Sequence, residues 1–120
     1  MERSGTREAS VTNALAAKKC MPCEGGTPPL SAAEAAGLGG QLHGDWRITA
    51  DSKTLKRAYR FKDFYRTMSF VNAIAHIANV EDHHPDVELG YDYCRLTFTT
   101  HSIGGLSQND FICAAKIDRL

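Results

Sequence analysis

The chain has 120 residues, 42% of them hydrophobic and 23% charged, and its 14 Lys+Arg balance 14 Asp+Glu to a formal net charge of zero. That length fits one domain with its own core and excludes a multidomain architecture. The zero balance excludes a global field that would gather nucleic acid or an anionic membrane, so any partner is recognised locally.

Residues 1–26 are polar and small, end in the run Cys20-Met21-Pro22-Cys23-Glu24-Gly25-Gly26, and read as a flexible N-terminal extension; residues 27–120 form the domain. The extension has no apolar run of the length a secretory signal needs, and the most apolar stretch, Phe70 to Val80, is broken by Asn72, His76 and Asn79. A soluble, cytoplasmic protein with no membrane partner is expected. The four cysteines make no disulfide scaffold, and Cys94 and Cys113 sit in apolar segments where a thiol is a small buried hydrophobe.

Beyond Pro28 and Pro29, Ser31 and Glu34 predict a capping box for a short helix over Ala32 to Ala36, ended by Gly37, Gly39 and Gly40. Asp45 to Ala50 and Leu55 to Phe61 carry aromatic and β-branched residues on either side of Asp51-Ser52-Lys53 and predict an antiparallel hairpin. Lys56, Ala58 and Arg60 then share its wet face. From Asp63 to Asn79 the period changes: Phe64, Met68, Val71, Ile74, Ala75 and Ala78 recur at three and four residues and predict the longest helix. Phe70, Ala73 and Ile77 widen its apolar stripe, which fits either a subunit interface or a larger core. Val87 to Leu89 and Tyr93 to Thr100 predict a second strand pair, and Ser107 to Leu120 a last helix with Phe111, Ile112, Ala115 and Leu120 packing inward. The fold class read from this order is α+β, a four-stranded antiparallel sheet with helices packed on one side, in the sequence helix-strand-strand-helix-strand-strand-helix.

Three of the five histidines, His83, His84 and His101, fall on loops or element ends. Imidazole gives and takes protons near neutrality, so such a cluster is a natural acid-base site, although adjacent exposed histidines are commonly only solvated. His43 and His76 read as structural or solvated. Cys20-x-x-Cys23 has the spacing of half a zinc ribbon or of a redox pair. No second CxxC follows, a tetrahedral site would have to borrow His43 or another subunit, and a simple thiol pair without metal is the expected reading.

The run Glu81-Asp82-His83-His84-Pro85-Asp86, followed by Tyr91, Thr100-His101, Gly105-Leu106-Ser107 and Asp110, resembles the signature of the pterin-4a-carbinolamine dehydratases. The likeness extends upstream through Phe61-Lys62-Asp63-Phe64 and Trp46 and covers roughly residues 27 to 120. Asn79 departs from it, standing four residues before His83 where many members carry Glu, so Glu81 or Asp82 would have to compensate. The resemblance implies a hydro-lyase, a 4a-hydroxytetrahydrobiopterin dehydratase that recycles the cofactor of aromatic amino acid hydroxylases in phenylalanine hydroxylation, without metal or redox cofactor. It implies a pterin substrate, an assembly of two or four copies, and an aromatic amino acid hydroxylase as a further partner.

Carried over position by position, His83, His84 and His101 are the implied catalytic residues, with His83 and His101 addressing the hydroxyl and His84 binding the ring and handling its proton. Trp46, Asp82, Pro85 and Asp110 are the implied binding or supporting residues. Trp46 would offer an apolar face to the pterin, although a lone Trp is commonly core, and Asp82 would orient an imidazole. Ser107-x-x-Asp110 also reads as a capping box, and the structural role is the one favoured for Asp110. On their expected loops, all three histidines should tolerate Ala with little change in stability. The competing readings are a non-catalytic dimerisation or transcriptional cofactor, as animal members of the family also act, and a role in molybdopterin metabolism.

Overall fold

The capping box at Ser31 forms as its spacing requires: Ser31 Oγ accepts from the Glu34 amide and Glu34 answers to the Ser31 amide, at 3.1 and 2.8 Å. The helix it starts, α1 (Ala32–Gly39), continues through Gly37, three residues past the sequence estimate, and ends on Gly40. The computed structural model describes residues 14–120. After α1 come β1 (Arg47–Ile48), β2 (Leu55–Arg60), α2 (Phe64–Glu81), β3 (Asp86–Leu89), β4 (Tyr93–Phe98), a 3-10 turn at His101–Ile103 and α3 (Gln108–Asp118).

The strands form one antiparallel sheet in the order β1-β2-β4-β3. Both predicted hairpins are present, and β2 against β4 joins them, with Leu55 opposite Phe98 and Tyr59 opposite Cys94. The side-chain period of two sends Leu55, Cys94, Leu96 and Phe98 into the core and leaves Lys56, Ala58, Arg60 and Arg95 exposed on the open face. β1 is shorter than the predicted Asp45 to Ala50 because only two of its residues find partners on β2. β4 stops at Phe98; Thr100 instead bridges to Gly105 and closes the loop that carries His101. Gly105 is required there, since a Cβ would stand 2.8 Å from the Pro29 side chain.

The helices cover the other face. Asp63 caps α2 by accepting from the Arg66 amide. Only Thr67, Ile74, Ala78 and Glu81 of this 18-residue helix are buried. The buried centre is α3, with eight of its 11 residues inside, Asn109 and Asp110 among them. Leu120, expected to pack, is exposed instead, because α3 ends at Asp118. Among the described residues no helix is long and apolar enough to cross a membrane.

Composition assigned residues 1–26 to a flexible extension. Residues 1–13 lie outside the described residues, while residues 14–26 run along α2 and α3 with Leu15 and Ala16 in the core. Lys116 Nζ donates to the Ala16 carbonyl, and the Cys20 amide donates to Glu81 Oε1 at 2.9 Å. Asn109 grips the Met21 backbone twice, its Oδ1 accepting from the amide at 3.0 Å and its Nδ2 donating to the carbonyl at 2.6 Å. Burial pushes the Glu81 carboxyl up, but the Cys20 amide with Lys116 and Lys19 outweighs it and holds the group below the usual carboxylate range.

Candidate active site

His83 is placed by the end of α2. Asp82 takes the left-handed conformation at φ 53°, which Asp tolerates better than most residues, and the turn lets the His83 amide reach back to the Ala78 carbonyl at 3.1 Å. The imidazole then points inward, where its Nε2 meets Asp110 Oδ1 at 2.6 Å and its ring lies parallel to Phe98, 6.0 Å between centroids. Phe98 packs its ring against Trp46 in turn, at 6.1 Å.

Asp110 has no exposed surface, and its two oxygens do different jobs. Oδ2 completes the capping box of α3, accepting from the Ser107 amide at 3.0 Å, and also accepts from Thr100 Oγ1 at 2.9 Å. Oδ1 is left for His83. A carboxylate this deep persists only if its lone pairs are met, and three donors converge on it here. The structural role favoured for Asp110 therefore exists, and with it a direct bond to the histidine that the sequence did not disclose. The acceptor at Nε2 fixes the proton of the neutral ring on that nitrogen and leaves Nδ1, which has no hydrogen-bond partner among the described residues, as the free position.

A cavity of about 250 Å³ opens beside this pair, lined by Asp82 and His83, by Thr100 and Ser102, by Glu81 and Asn109, and by Cys20 to Cys23. Thr100, Ser102 and the Cys20–Cys23 segment were not among the site residues read from sequence. A larger concavity of about 650 Å³ lies on the open face of the sheet among Arg47, Lys56, Arg95, Asp86 and Glu88. It contains no histidine, so no side chain there titrates near neutrality at its ordinary pKa, and the smaller cavity is the chemical candidate.

Of the sequence candidates only His83 and Asp82 line this cavity; His84, His101, Pro85 and Trp46 are not among its lining residues. His84 is exposed at the surface and its Nε2 meets Asn79 Oδ1 at 3.3 Å, so the residue standing in for Glu still supports an imidazole, without charge. Neither Glu81, tied to Cys20 and Lys116, nor Asp82 takes that place. His101 opens the 3-10 turn, exposed, with no side-chain bond among the described residues. Pro85 is half-buried between His84 and β3. Trp46 is 8% exposed and donates from Nε1 to Asp118 Oδ1 at 2.8 Å, an oxygen it shares with Arg57. Trp46 is thus a core residue, and it reaches His83 only through Phe98. His43 donates its amide to Asp118, and its ring lies 3.9 Å from Asp45.

The sequence model of the family described as Pterin 4 alpha carbinolamine dehydratase matches residues 28–120. The chain belongs to this family. A Legionella pneumophila protein is 54% identical over 110 residues, covering 92% of this chain and 97% of its own length. One from Nitrosomonas europaea is 57% identical over 106 residues, 88% of this chain and 92% of that one. Both carry the name "Putative pterin-4-alpha-carbinolamine dehydratase". A span of 110 residues in 120 necessarily includes residues 20–23, so the Legionella match takes in the segment that walls the cavity. Among solved structures, a transcriptional coactivator/pterin dehydratase from Brucella melitensis superposes with a TM-score of 0.71 at 27% identity, over 76% of this chain and 96% of that one. A pterin dehydratase-like RuBisCO assembly factor of the alpha-carboxysome, 23% identical with a TM-score of 0.56 over 64% and 89% of the two chains, shares the dehydratase fold.

Proposed function

We propose that this chain dehydrates 4a-hydroxytetrahydropterin to the quinonoid dihydropterin by acid-base catalysis at the His83 cavity, recycling the cofactor of an aromatic amino acid hydroxylase. The observation that carries the reading is the fully buried Asp110 held on His83 at 2.6 Å at the wall of a cavity, within a chain of the dehydratase family. The reaction breaks the bond between C4a and its hydroxyl, removes the proton of the adjacent ring nitrogen, and forms a double bond between the two atoms. It therefore needs one group that gives a proton to the leaving hydroxyl and one that takes the ring proton. A protonated His83, stabilised by the Asp110 carboxylate, delivers its Nδ1 proton to the departing oxygen, and its neutral form is left with the lone pair that resets it. His101 assists at the hydroxyl from the loop tied by Thr100 and Gly105, and His84, held by Asn79, meets the ring and takes its proton. Every proton transfer has a side chain, so turnover should survive exhaustive chelation.

The exposed faces support a further part of the reading. Phe64, Tyr65 and Val80 on α2 remain 46%, 80% and 56% exposed, and Tyr91 stacks on Phe64 at 6.4 Å. Phe70 and Ile77, which the helix pattern offered to either an interface or a larger core, pack against the core instead, and a second copy of this chain is the occupant we assign to the exposed Phe64, Tyr65 and Val80 surface. Light scattering at micromolar concentration should give at least a dimer.

The deciding assay supplies 4a-hydroxytetrahydropterin from a hydroxylase reaction and follows quinonoid dihydropterin. Acceleration by catalytic amounts of the protein supports the reading; product forming at the uncatalysed rate rejects it.

A further inference from the structure

The CxxC spacing invites a pairing of Cys20 with Cys23, but the fold gives Cys20 a different thiol neighbour. Cys20 Sγ stands 3.6 Å from Cys113 Sγ on α3, a residue 93 positions away in sequence. Cys23 Sγ faces the Met21 carbonyl and the Asn109 amide nitrogen instead. We propose that Cys20 and Cys113 form an oxidisable pair whose disulfide fastens residues 20–23 as a rigid wall of the His83 cavity. The role given to that wall rests on reading the cavity as the pterin site; the existence of the pair does not.

The geometry needs an approach of about 1.5 Å to reach the ~2.05 Å sulfur-sulfur bond, which rotation of the two cysteine side chains can supply. The two thiols are unequally placed. Cys20 is partly exposed and lines the cavity, so an oxidant reaches it first. Cys113 has no exposed surface, and its hydrogen bond with Cys20, together with burial, pushes its thiol far above the ordinary range. Burial keeps oxidant away from Cys113, and its place 3.6 Å from Cys20 makes it the thiol positioned for the second step.

Hydrogen peroxide is the oxidant proposed. The Cys20 thiolate attacks one peroxide oxygen, the oxygen-oxygen bond breaks, and Cys20 becomes a sulfenic acid while hydroxide departs and is protonated to water. The Cys113 sulfur then attacks the Cys20 sulfur, the sulfur-sulfur bond forms, and the sulfenic hydroxyl leaves with the Cys113 proton as water. Two thiols and one peroxide give one disulfide and two waters. Because the bridge closes a long stretch of chain, it also restrains the unfolded state, and the oxidised protein should melt higher.

The test treats full-length protein with hydrogen peroxide at low excess, blocks remaining thiols by alkylation, and maps the peptides by mass spectrometry. The expected result is a loss of 2 Da, two alkylated cysteines out of four, and a linked peptide joining Cys20 to Cys113, all reversed by dithiothreitol. Cys23→Ser should form the same bridge, whereas Cys20→Ser should not and should lose the upward shift in Tm; Cys20→Ser is preferred to Cys113→Ala, which empties a core position. A bridge from Cys20 to Cys23, or Cys20 carried to higher oxides while Cys113 stays reduced, would overturn the pair. Dehydration kinetics on the bridged protein read the second half: the rate or KM for the pterin should change at least twofold and return on reduction. A mapped bridge with unchanged kinetics, in protein whose reduced form is an active dehydratase, overturns the wall's role and leaves the reaction assignment standing.

Discussion

His83 and His101 occupy equivalent places in the sequence, each an imidazole on a short connection, yet the fold treats them oppositely. His83 is 12% exposed, bonded to a carboxylate with no exposed surface and stacked on a core phenylalanine. His101 stands exposed on a 3-10 turn and, like His84, can move without disturbing the core. A histidine cluster need not be a set of equals. One ring is locked in tautomer and orientation by its neighbours, as a proton-transfer group requires, while the others adapt to what enters.

The largest effect should come from the group that creates the difference. Asp110→Ala leaves the His83 ring, the Thr100 hydroxyl and the Ser107 amide facing a void, and removing one member of a buried charged network costs about 3–5 kcal/mol. Chemical denaturation should show that loss, together with a dehydration rate close to background. A stability within 1 kcal/mol of wild type would mean that the buried carboxylate is not holding the site.

Next come the histidines, compared singly. His83→Ala should lower the dehydration rate by ~10²–10⁴-fold, less where the remaining imidazoles substitute. It should also destabilise the domain by about 1–3 kcal/mol, because the Asp110 oxygen loses its partner in a buried setting. This departs from the sequence expectation of three equally tolerant positions. His84→Ala and His101→Ala should cost rate alone, with stability held within about 0.5 kcal/mol. Equal melting shifts for all three would erase the distinction between the anchored and the exposed rings.

Trp46→Phe sharpens the same boundary between support and contact. It removes the indole donor to Asp118 in a part-buried setting, so a loss of about 1 kcal/mol is expected with KM for the pterin unchanged. A large rise in KM with normal stability would return Trp46 to the substrate site.

The smallest effect concerns acid. Glu81 titrates below its ordinary value of about 4.5 in the folded protein. Its contribution is therefore fully present above that value and is lost as pH falls through the lower, folded pKa. Glu81→Gln should flatten the decline of thermal stability below about pH 4.5, read from melts in buffers from pH 3 to 7.

Most of the fold was legible because local signals agreed with burial. The three-and-four period of α2, the alternation in β2 and β4, and the caps at Ser31 and Ser107 each have one dominant physical cause. The central position of α3 was less legible: a helix buried nearly all round, with Asn109 and Asp110 inside, shows no clean stripe. At the site, the motif run disclosed His83 and Asp82. The bond from Asp110 to His83 was obscured because the capping box explains the residue so well. The available signal was arithmetic, since a cap of that kind uses one carboxylate oxygen and leaves the other to be assigned. The wall formed by residues 20–23 was hidden because a segment held by backbone bonds to Asn109 and Glu81 looks, in composition, like a loose end.

Whether imidazoles perform the dehydration is read most directly from the initial rate of 4a-hydroxytetrahydropterin dehydration by the double variant His83→Gln/His101→Ala. Gln at position 83 can still donate to Asp110, which keeps the domain folded, and both groups that address the hydroxyl are gone. A normal thermal melt is expected, with turnover reduced to near the uncatalysed rate. A folded double variant that dehydrates the substrate as fast as wild type would contradict imidazole catalysis.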